Sequence, residues 1–410
     1  MIYYLSPRWT SEYYDCSMPM TFDQYSNCGF TCLYCFSAYQ RGLSGHGKEA
    51  YFSKGIKAVN PNHIRQMFTE LDSSTFGEYI KQRKVMQWGG LSDPFCGFER
   101  KYSIGLELLR FFREIDYPIC FSTKGIWWLD DERYTELFRG NHNWNVKVSI
   151  ITLDEAKAKR IEKGVPSPKA RLEAIGKIAN LDCGGATLRL RPFMIGITTP
   201  DHIELIAQAG KSGATALSTE FFCLEQRSSS LRNRLKEISA LAGFDYLDFY
   251  RRFSIGAGYL RLNRNIKRKY VDEMEEAARK AGMRFYVSDA HFKERCHNGN
   301  CCGLSETFNY SRGQFCQALV ICRKTGRVEW LDIAQDMEHL KRAQMVNSIN
   351  IGTSRRRAQF DGFSLFDYLK FLWNNPKVGQ SPYKMFEGVM KPVDKDTEGN
   401  LIYALDRGRL

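Results

Sequence analysis

The sequence predicts an α/β fold, a partial or complete (β/α) barrel followed by a cysteine-rich C-terminal extension. Two observations carry this prediction. Short β-branched or apolar runs alternate with longer stretches whose apolar residues recur at helical spacing, and six or more such β-then-α units follow one another. A chain of 410 residues also has room for one barrel and an appended region. Barrel enzymes carry their chemistry on the loops at the carboxyl ends of the strands.

The elements are assigned in chain order from these patterns. The predicted strands are Met20–Tyr25, Lys84–Trp88, Pro118–Ser122, Val146–Thr152, Ala186–Phe193, Thr215–Ser218 and Met283–Ser288. The predicted helices are Ile104–Ile115, Lys169–Ala179, His202–Lys211, Arg268–Ala281 and an aromatic one at Phe363–Trp373. Residues 40–60 read as a Gly- and Lys-rich insertion. We expect the barrel core over 1–240, a further βα unit and cysteine-rich region over 241–330, and a basic, aromatic extension over 331–410.

Composition narrows the function classes. Hydrophobic residues make up 43% and charged residues 26% of the chain, which is typical of a globular protein. The sequence holds no apolar run of about 18 residues and no secretory signal, so we expect a cytoplasmic protein without a membrane span. The formal net charge of +13 favours a nucleic-acid partner, although a basic surplus can also serve solubility alone. Thirteen cysteines in such a chain favour metal sites or burial over disulfides.

A cysteine triplet follows the first predicted strand. Asn27–Phe36 reads N-C-G-F-T-C-L-Y-C-F and places Cys28, Cys32 and Cys35 in a Cys-x3-Cys-x2-Cys spacing. Thiolates are the usual ligands of iron–sulfur clusters, and three of them leave one iron of a cubane open. Zinc is the alternative, but zinc sites usually use paired cysteine doublets. Three unligated buried cysteines are a poorer explanation for a single short loop.

This loop resembles that of the radical SAM superfamily, in which an aromatic residue, here Tyr34, precedes the third cysteine. The resemblance implies a [4Fe–4S] cluster whose open iron binds S-adenosylmethionine (SAM). One electron from the reduced cluster would break the S–C5′ bond and give a 5′-deoxyadenosyl radical that abstracts hydrogen from a substrate. A reductant such as flavodoxin or ferredoxin is then an expected partner.

Further residues match where such a fold would place them. Gln87–Arg100 reads Q-W-G-G-L-S-D-P-F-C-G-F-E-R, and its Gly89–Gly90 is similar to the glycine pair of the superfamily that approaches the methionine amino group. Ser92 and Asp93 follow and are counted with the cofactor-binding residues. Lys124 and Ser149 end the third and fourth predicted strands, where both could contact the methionine carboxylate.

The stretch Arg160–Leu217 is similar to the branch that contains spore photoproduct lyase, with Lys124 and Ser149 matching its SAM-carboxylate contacts. The resemblance covers roughly residues 18–220. One departure concerns the hydrogen-donating cysteine of that lyase, which stands just before a Thr-Ser-Asp. Here Gly90 and Leu91 precede Ser92, and the nearest thiol is Cys96, which becomes the candidate hydrogen donor. A radical reaction other than thymine-dimer reversal is therefore expected.

A second group of cysteines follows the strand at Met283–Ser288. Cys296, Cys301, Cys302 and Cys316 lie in a stretch of little periodicity and are candidates for a second iron–sulfur cluster or a zinc site. The adjacency of Cys301 and Cys302 argues against both ligating one metal. The alternatives are a thiol hydrogen donor and inert core packing.

The substrate is inferred from charge. Basic residues recur with aromatic ones among them, as in nucleic-acid-binding surfaces. They are Arg227, Arg232, Arg234, Arg251–Arg252, Arg261, Arg264, Lys267–Lys269 and Arg355–Arg357, with Tyr246, Tyr250, Phe253 and Tyr259. We expect a nucleic-acid or nucleotide substrate. The alternatives are a peptide or small metabolite, and a non-catalytic, metal-stabilised nucleic-acid-binding protein.

Overall fold

The structure is a computed structural model that describes residues 6–10, 12–37, 56–225, 231–255, 259–344 and 359–409. The chain divides into two compact units. Unit 1 comprises residues 1–6, 22–61 and 88–286, and unit 2 comprises residues 7–21, 62–87 and 287–410. The boundaries predicted at residues 240 and 330 stay a prediction.

Sixteen described strands are numbered in chain order. They are β1 (Arg8–Trp9), β2 (Met20–Phe22), β3 (Thr31–Cys32), β4 (Met86–Trp88), β5 (Ile119–Thr123), β6 (Trp144–Ser149), β7 (Glu162–Lys163), β8 (Ala186–Phe193), β9 (Ala216–Phe221), β10 (Leu224–Glu225), β11 (Ser254–Ile255), β12 (Tyr259–Leu262), β13 (Arg284–Val287), β14 (Arg327–Val328), β15 (Met390–Lys395) and β16 (Leu401–Leu405).

Eight of these strands form one sheet in the order β1-β2-β4-β5-β6-β8-β9-β13. The pairs β5–β6, β6–β8 and β8–β9 are parallel. Every residue of β5 and β6 is buried, as expected for parallel strands covered on both faces. The α/β prediction is confirmed. The barrel is partial, because the end strands β1 and β13 do not pair with each other among the described residues and the sheet stays open.

The α-helices that the structure describes are numbered in the same way. They are α1 (Pro61–Thr69), α2 (Gly77–Lys81), α3 (Gly97–Tyr102), α4 (Ile104–Glu114), α5 (Glu132–Phe138), α6 (Glu155–Ile161), α7 (Pro168–Ala179), α8 (His202–Lys211), α9 (Leu231–Ala242), α10 (Tyr246–Phe253), α11 (Arg264–Lys280), α12 (Phe315–Thr325), α13 (Leu331–Ala334), α14 (Leu365–Asn374) and α15 (Pro382–Met385). Short 3-10 helices lie at Leu71–Ser73, Trp127–Asp130, Ala290–Arg295, Gln335–Leu340 and Arg407–Arg409. No helix in the described ranges is long and apolar enough to cross a bilayer.

The helices between the parallel strands begin at residues that suit helix starts. Helix α7 has Ser167 as its N-cap, whose hydroxyl accepts a hydrogen bond from the Ala170 amide, and Pro168 in its first turn. Asp154 caps α6 through the Lys157 amide. The apolar face of α4 buries Leu106, Leu109 and Phe112. Because these helices connect parallel strands, the alternation of strand and helix patterns in the sequence was enough to predict the parallel sheet.

Three smaller sheets complete the fold. Strand β3, in the cysteine loop, pairs antiparallel with β7. Strands β10, β12 and β11 form a second sheet within unit 1, and β14, β16 and β15 form a third within unit 2. In the third sheet β15 and β16 form a hairpin in which the Asp396 amide donates to the Asn400 carbonyl.

The structure corrects three expectations about local structure. The triplet does not follow its strand directly, since β2 ends at Phe22 and Cys32 lies in β3. The region expected to lack periodicity contains α12, which is buried along most of its length and therefore shows no polar face in the sequence. The end of the extension expected over 331–410, for which no strand was predicted, forms the β15–β16 hairpin.

Some predicted features fall outside the described residues. These are most of the 40–60 insertion, Arg227, Arg355–Arg357 and the side chains of Arg232 and Tyr259.

Candidate active site at the carboxyl ends of the parallel strands

The predicted cofactor-binding residues lie at the carboxyl ends of three neighbouring strands. Gly89 and Gly90 directly follow β4, Lys124 directly follows β5, and Ser149 is the last residue of β6. Strands β4, β5 and β6 are neighbours in the sheet. The carboxyl edge of an α/β sheet is where such folds carry their chemistry, so the chain presents these three segments together.

The cysteine loop is fixed by backbone hydrogen bonds. Cys32 of β3 pairs with Glu162 of β7, and the Leu33 amide donates to the Ile161 carbonyl at 2.8 Å. The Cys35 amide donates to the Cys32 carbonyl at 3.2 Å, which closes a turn between these two cysteines. The loop is thus attached to the segment that follows α6.

Asp93 joins the loop after β4 to the end of β5. Its carboxylate accepts hydrogen bonds from the Thr123 hydroxyl at 2.7 Å, the Lys124 amide at 2.5 Å and the Phe95 amide at 2.9 Å. Burial raises the pKa of this carboxyl, and the hydrogen bonds oppose the rise by stabilising its charged form. Asp93 therefore sets the position of the Lys124 backbone. A direct contact between this carboxylate and a cofactor stays a prediction.

The glycine after β4 allows a close approach to β5. Gly89 has a φ of +94°, and a Cβ atom there would lie 2.5 Å from the Ser122 carbonyl oxygen. No other residue fits this position without moving the backbone. The loop that follows is held by Asp23, whose carboxylate accepts from the amides of Leu91 at 2.9 Å and Ser92 at 2.8 Å.

Ser92 is buried and turned inward. Its hydroxyl donates to the Tyr25 carbonyl at 3.0 Å and also lies 3.3 Å from the Asp23 carboxylate. Like Asp93, this residue of the predicted cofactor-binding set fixes the loop that follows the glycine pair.

Tyr34 connects the cysteine loop to Lys124. The Lys124 ammonium lies over the Tyr34 ring, 5.5 Å from its centroid, and the Tyr34 hydroxyl donates to the Glu162 carboxylate. Arg171 in turn donates to Glu162 at 2.6 Å and to the Ser149 carbonyl at 2.6 Å. This series of contacts links the cysteine loop with the ends of β5 and β6.

The cysteine loop lies among cations. Burial raises the pKa of the Cys32 thiol to about 12, and the nearby Lys124 ammonium opposes the rise. Arg234 lies within electrostatic range of both Cys32 and Cys35, and burial lowers the pKa of its guanidinium to about 10. Cations beside buried thiols favour thiolates, which are the form that ligates a metal.

The third cysteine of the triplet has another partner. The Cys28 thiol is hydrogen-bonded to the thiol of Cys96, and this bond, together with burial, raises the pKa of Cys28. Among the described residues, no three His, Cys, Asp or Glu side chains are gathered as a metal ion would require. The donor set of three cysteines on one loop, with Lys124 and Arg234 beside two of them, nevertheless suits a cluster once Cys28 leaves Cys96.

A buried carboxylate organises the next turn of the same loop. Glu99 accepts from the hydroxyls of Tyr25 at 2.8 Å and Tyr134 at 2.7 Å, and from the amides of Gly105 and Leu106 at the start of α4. Burial raises the pKa of Glu99, and these donors oppose the rise. Glu99 therefore caps α4 and holds the segment that carries Cys96.

The second group of cysteines lies in unit 2 around Lys293. The structure adds Cys16 to it, because Cys16, Cys296 and Cys316 all lie within electrostatic range of both Cys301 and Lys293. The Cys296 thiol donates to the Val287 carbonyl at 3.2 Å, and the Cys316 thiol donates to the Gly299 carbonyl at 3.3 Å. The sulfurs of Cys301 and Cys302 are 4.0 Å apart.

Lys293 at the centre of this group is buried and forms an ion pair with Asp15. Although burial favours the neutral amine, the Asp15 carboxylate raises the pKa of Lys293 well above its usual range. Burial raises the pKa values of the Cys16 and Cys296 thiols to about 12. A second metal site here stays a prediction.

Several residues of the site were missed from the sequence. Glu162 and Arg171 stand in the stretch Arg160–Leu217, but nothing in their spacing indicates a buried ion pair. Arg234 was counted among surface basic residues and is instead buried beside the cysteine loop. Asp23 lay inside the predicted strand Met20–Tyr25, and nothing in the sequence marked it as a residue of the site.

Comparison with known proteins gives distant relatives. No known family's sequence profile matches the chain. An uncharacterised protein of Mycobacterium bovis and two of Mycobacterium tuberculosis are each 24% identical to it over 214 residues. The alignments cover 51% of this chain and 60% of each relative, so the chain spans less than two thirds of the length of these proteins.

Solved structures give fold likenesses. Spore photoproduct lyase complexed with dinucleoside spore photoproduct is 17% identical, with a TM-score of 0.48 over 69% of this chain and 79% of that one. Streptococcus suis SuiB bound to S-adenosylmethionine is 12% identical, with a TM-score of 0.37 over 68% and 61%. Since these TM-scores are below 0.5, no function is transferred from them.

Proposed function

We propose that the chain is a radical SAM enzyme that reductively cleaves S-adenosylmethionine. The observation that carries the proposal is the Asp93 carboxylate, which ties the glycine loop after β4 to Lys124 at the end of β5. A glycine pair and a lysine at adjoining strand ends suit the amino and carboxylate groups of one methionine. The cysteine loop is joined to the same lysine through Tyr34.

Cys28, Cys32 and Cys35 would hold a [4Fe–4S] cluster. When bound, the cluster supplies the open iron and the single electron that splits SAM into methionine and the 5′-deoxyadenosyl radical. The chain supplies the surroundings: Lys124 and Arg234 offset the negative charge of the thiolates, and burial excludes water. Cys28 reaches the cluster by giving up its hydrogen bond to Cys96.

The side chains at the strand ends would orient the methionine part of SAM. The Lys124 ammonium pairs with the carboxylate, and its position over the Tyr34 ring restricts its rotamers. The Ser149 hydroxyl oxygen accepts from Arg189 at 3.3 Å, so its own O–H group can donate to the same carboxylate. Gly89 and Gly90 let the backbone approach the methionine amino group.

Cys96 is the proposed hydrogen donor for a product radical. Its thiol is buried and lies beside Cys28, a proposed cluster ligand. A thiol that donates a hydrogen atom becomes a thiyl radical. One electron from the reductant that serves the cluster, of the flavodoxin or ferredoxin class, together with one proton from water, would return it to a thiol.

We propose a nucleic acid or nucleotide as the substrate class. The end of α10 exposes Arg251, Arg252 and Phe253, and the net charge of the chain is +13. Guanidinium groups beside an exposed aromatic ring suit phosphates and bases. The second candidate is a peptide substrate, favoured by the additional cysteine group around Lys293.

The test is SAM cleavage by anaerobically reconstituted protein. With dithionite the wild-type protein should release 5′-deoxyadenosine, and replacing Cys28, Cys32 and Cys35 by Ala should abolish the release. Cys183→Ala with Cys223→Ala is the matched control, since both cysteines lie in unit 1 outside the loop. Undiminished turnover in the triple variant contradicts the proposal. Oligonucleotide affinity that falls steeply with salt supports the nucleic-acid substrate, and salt-independent or absent binding favours the peptide.

A further inference from the structure

Glu162 and Arg171 form a buried ion pair at a place where the core does not require charged side chains. The two side chains are each 1% exposed, and Arg171 donates to Glu162 at 2.6 Å. Removing two charges from water costs several kcal/mol per ion, and apolar residues of similar volume are often as stable. A buried pair of this kind is therefore weak evidence for a purely stabilising role.

The ion pair contacts two parts of the candidate site, the end of β6 and the cysteine loop. Arg171 donates to the Ser149 carbonyl at 2.6 Å, which fixes the end of β6. Glu162 accepts from the Tyr34 hydroxyl, and the Glu162 backbone pairs with Cys32. The Tyr34 ring in turn lies under the Lys124 ammonium at 5.5 Å. One ion pair thus holds the cysteine loop, the Lys124 side chain and the Ser149 backbone.

We infer that Glu162 and Arg171 are positioning residues for the methionine carboxylate of SAM, acting through Tyr34 and Ser149. This inference rests on the proposed function. One carboxylate oxygen of Glu162 accepts from the Tyr34 hydroxyl and the other accepts from Arg171, so the two partners fix the orientation of the carboxylate. A hydroxyl held by Glu162 fixes the plane of the Tyr34 ring, and the ring restricts where the Lys124 ammonium can lie.

The experiment measures the SAM dissociation constant of reconstituted protein by equilibrium dialysis, together with its iron content. Glu162→Gln keeps the size of the side chain and one acceptor for Tyr34 but removes the charge. It should weaken SAM binding roughly 10-fold, the lower end of what is typical for residues that support a ligand-binding group. Glu237→Gln is the matched control, because Glu237 pairs with Arg160 at 2.9 Å on the surface of the same unit and should leave SAM affinity unchanged.

A double-mutant cycle separates positioning from general stabilisation. Because Glu162 acts in part through Lys124, Glu162→Gln should weaken SAM binding less in the Lys124→Met background than in the wild-type background, and the remaining effect comes through Arg171 and Ser149. A purely structural role would lower the melting temperature of Glu162→Gln and leave the affinity of the folded protein unchanged. Additive effects on affinity, or an unchanged affinity, overturn the inference.

If Glu162→Gln does not fold, a milder variant can still test the inference. Tyr34→Phe removes only the hydroxyl that donates a hydrogen bond to Glu162, and it keeps the ring beneath Lys124. It should weaken SAM binding by several-fold, about half the effect of Glu162→Gln on a logarithmic scale. Unchanged affinity in Tyr34→Phe contradicts the inference. Failure of the wild-type protein to bind SAM contradicts the proposed function and the inference with it, whereas wild-type binding with an unaffected Tyr34→Phe contradicts the inference alone.

Discussion

The chain carries two groups of cysteines, one in each compact unit, and their surroundings differ. In unit 1, Cys32 and Cys35 lie beside Arg234, and the Lys124 ammonium is also close to Cys32. In unit 2, Cys296 and Cys316 each donate to a backbone carbonyl. Thiols that donate to carbonyls are satisfied in their neutral form, whereas thiols beside cations are prepared to become thiolates.

The cations themselves differ between the two groups. Lys293 in unit 2 already has a carboxylate partner in Asp15. Lys124 in unit 1 lies over an aromatic ring instead, and its ammonium has a charge available for an anionic ligand. Cysteine spacing alone does not distinguish thiols that lie beside a cation from thiols that donate to backbone carbonyls. The charges around the sulfurs are needed as well.

The largest effect on stability is expected at Lys293. Lys293→Met removes one partner of a buried ion pair, which typically costs about 3–5 kcal/mol of unfolding free energy. Urea denaturation of the metal-free protein measures it. Lys81→Met is the control within the same unit, since the Lys81–Asp72 pair is exposed and should be worth less than about 1 kcal/mol. If the two variants lose equal stability, the Lys293 group is not held together by its ion pair.

The next effect concerns Lys124 and SAM. Lys124→Met removes the ammonium proposed to bind the methionine carboxylate. A hydrogen bond to a charged group is worth about 1.5–3 kcal/mol, so the dissociation constant for SAM should rise roughly 10- to 150-fold. Equilibrium dialysis with reconstituted protein measures it. Lys101→Met is the control, because Lys101 also lies over an aromatic ring, that of Tyr102 at 5.2 Å, but on an exposed helix position. Unchanged SAM affinity in Lys124→Met would show that the cofactor lies elsewhere.

The smallest effect is a change in metal content. If the unit 2 group binds a second metal, iron and zinc in purified protein should exceed one cubane, and Cys296→Ser with Cys302→Ser should remove the excess. Such a metal has to displace the hydrogen bond from Cys296 to Val287. Cys322→Ser is the control, a buried cysteine outside the predicted ligand set. A metal content that matches one cubane in all these proteins means that the unit 2 thiols are packing residues.

Much of the fold could be predicted because the local patterns agree with the tertiary structure. The predicted strand Ala186–Phe193 and the predicted helix His202–Lys211 have the bounds of β8 and α8. Helix α12 escaped prediction because a helix buried on most sides lacks the polar stripe that reveals its period. The β15–β16 hairpin escaped because β15 is short, charged and largely exposed.

The candidate site was predictable where residues directly follow strands. Gly89, Lys124 and Ser149 each stand at a strand end, so their common location follows from the parallel sheet. The pairing of Glu162 with Arg171 was not predictable, because it depends on how the turn after α6 meets α7. The same holds for Cys16, which is about 280 residues from Cys296 and joins its group only in the folded unit.

The way Asp23 holds the loop after β4 has an evolutionary consequence. Its carboxylate binds the backbone amides of Leu91 and Ser92, so the path of the loop does not depend on which side chains stand at residues 90 and 91. Of these two positions, Gly90 belongs to the glycine pair proposed to approach the methionine amino group, which leaves Leu91 as the variable one. If the proposed function holds, substitution of Leu91 can change the group offered to a substrate radical while the loop keeps its path.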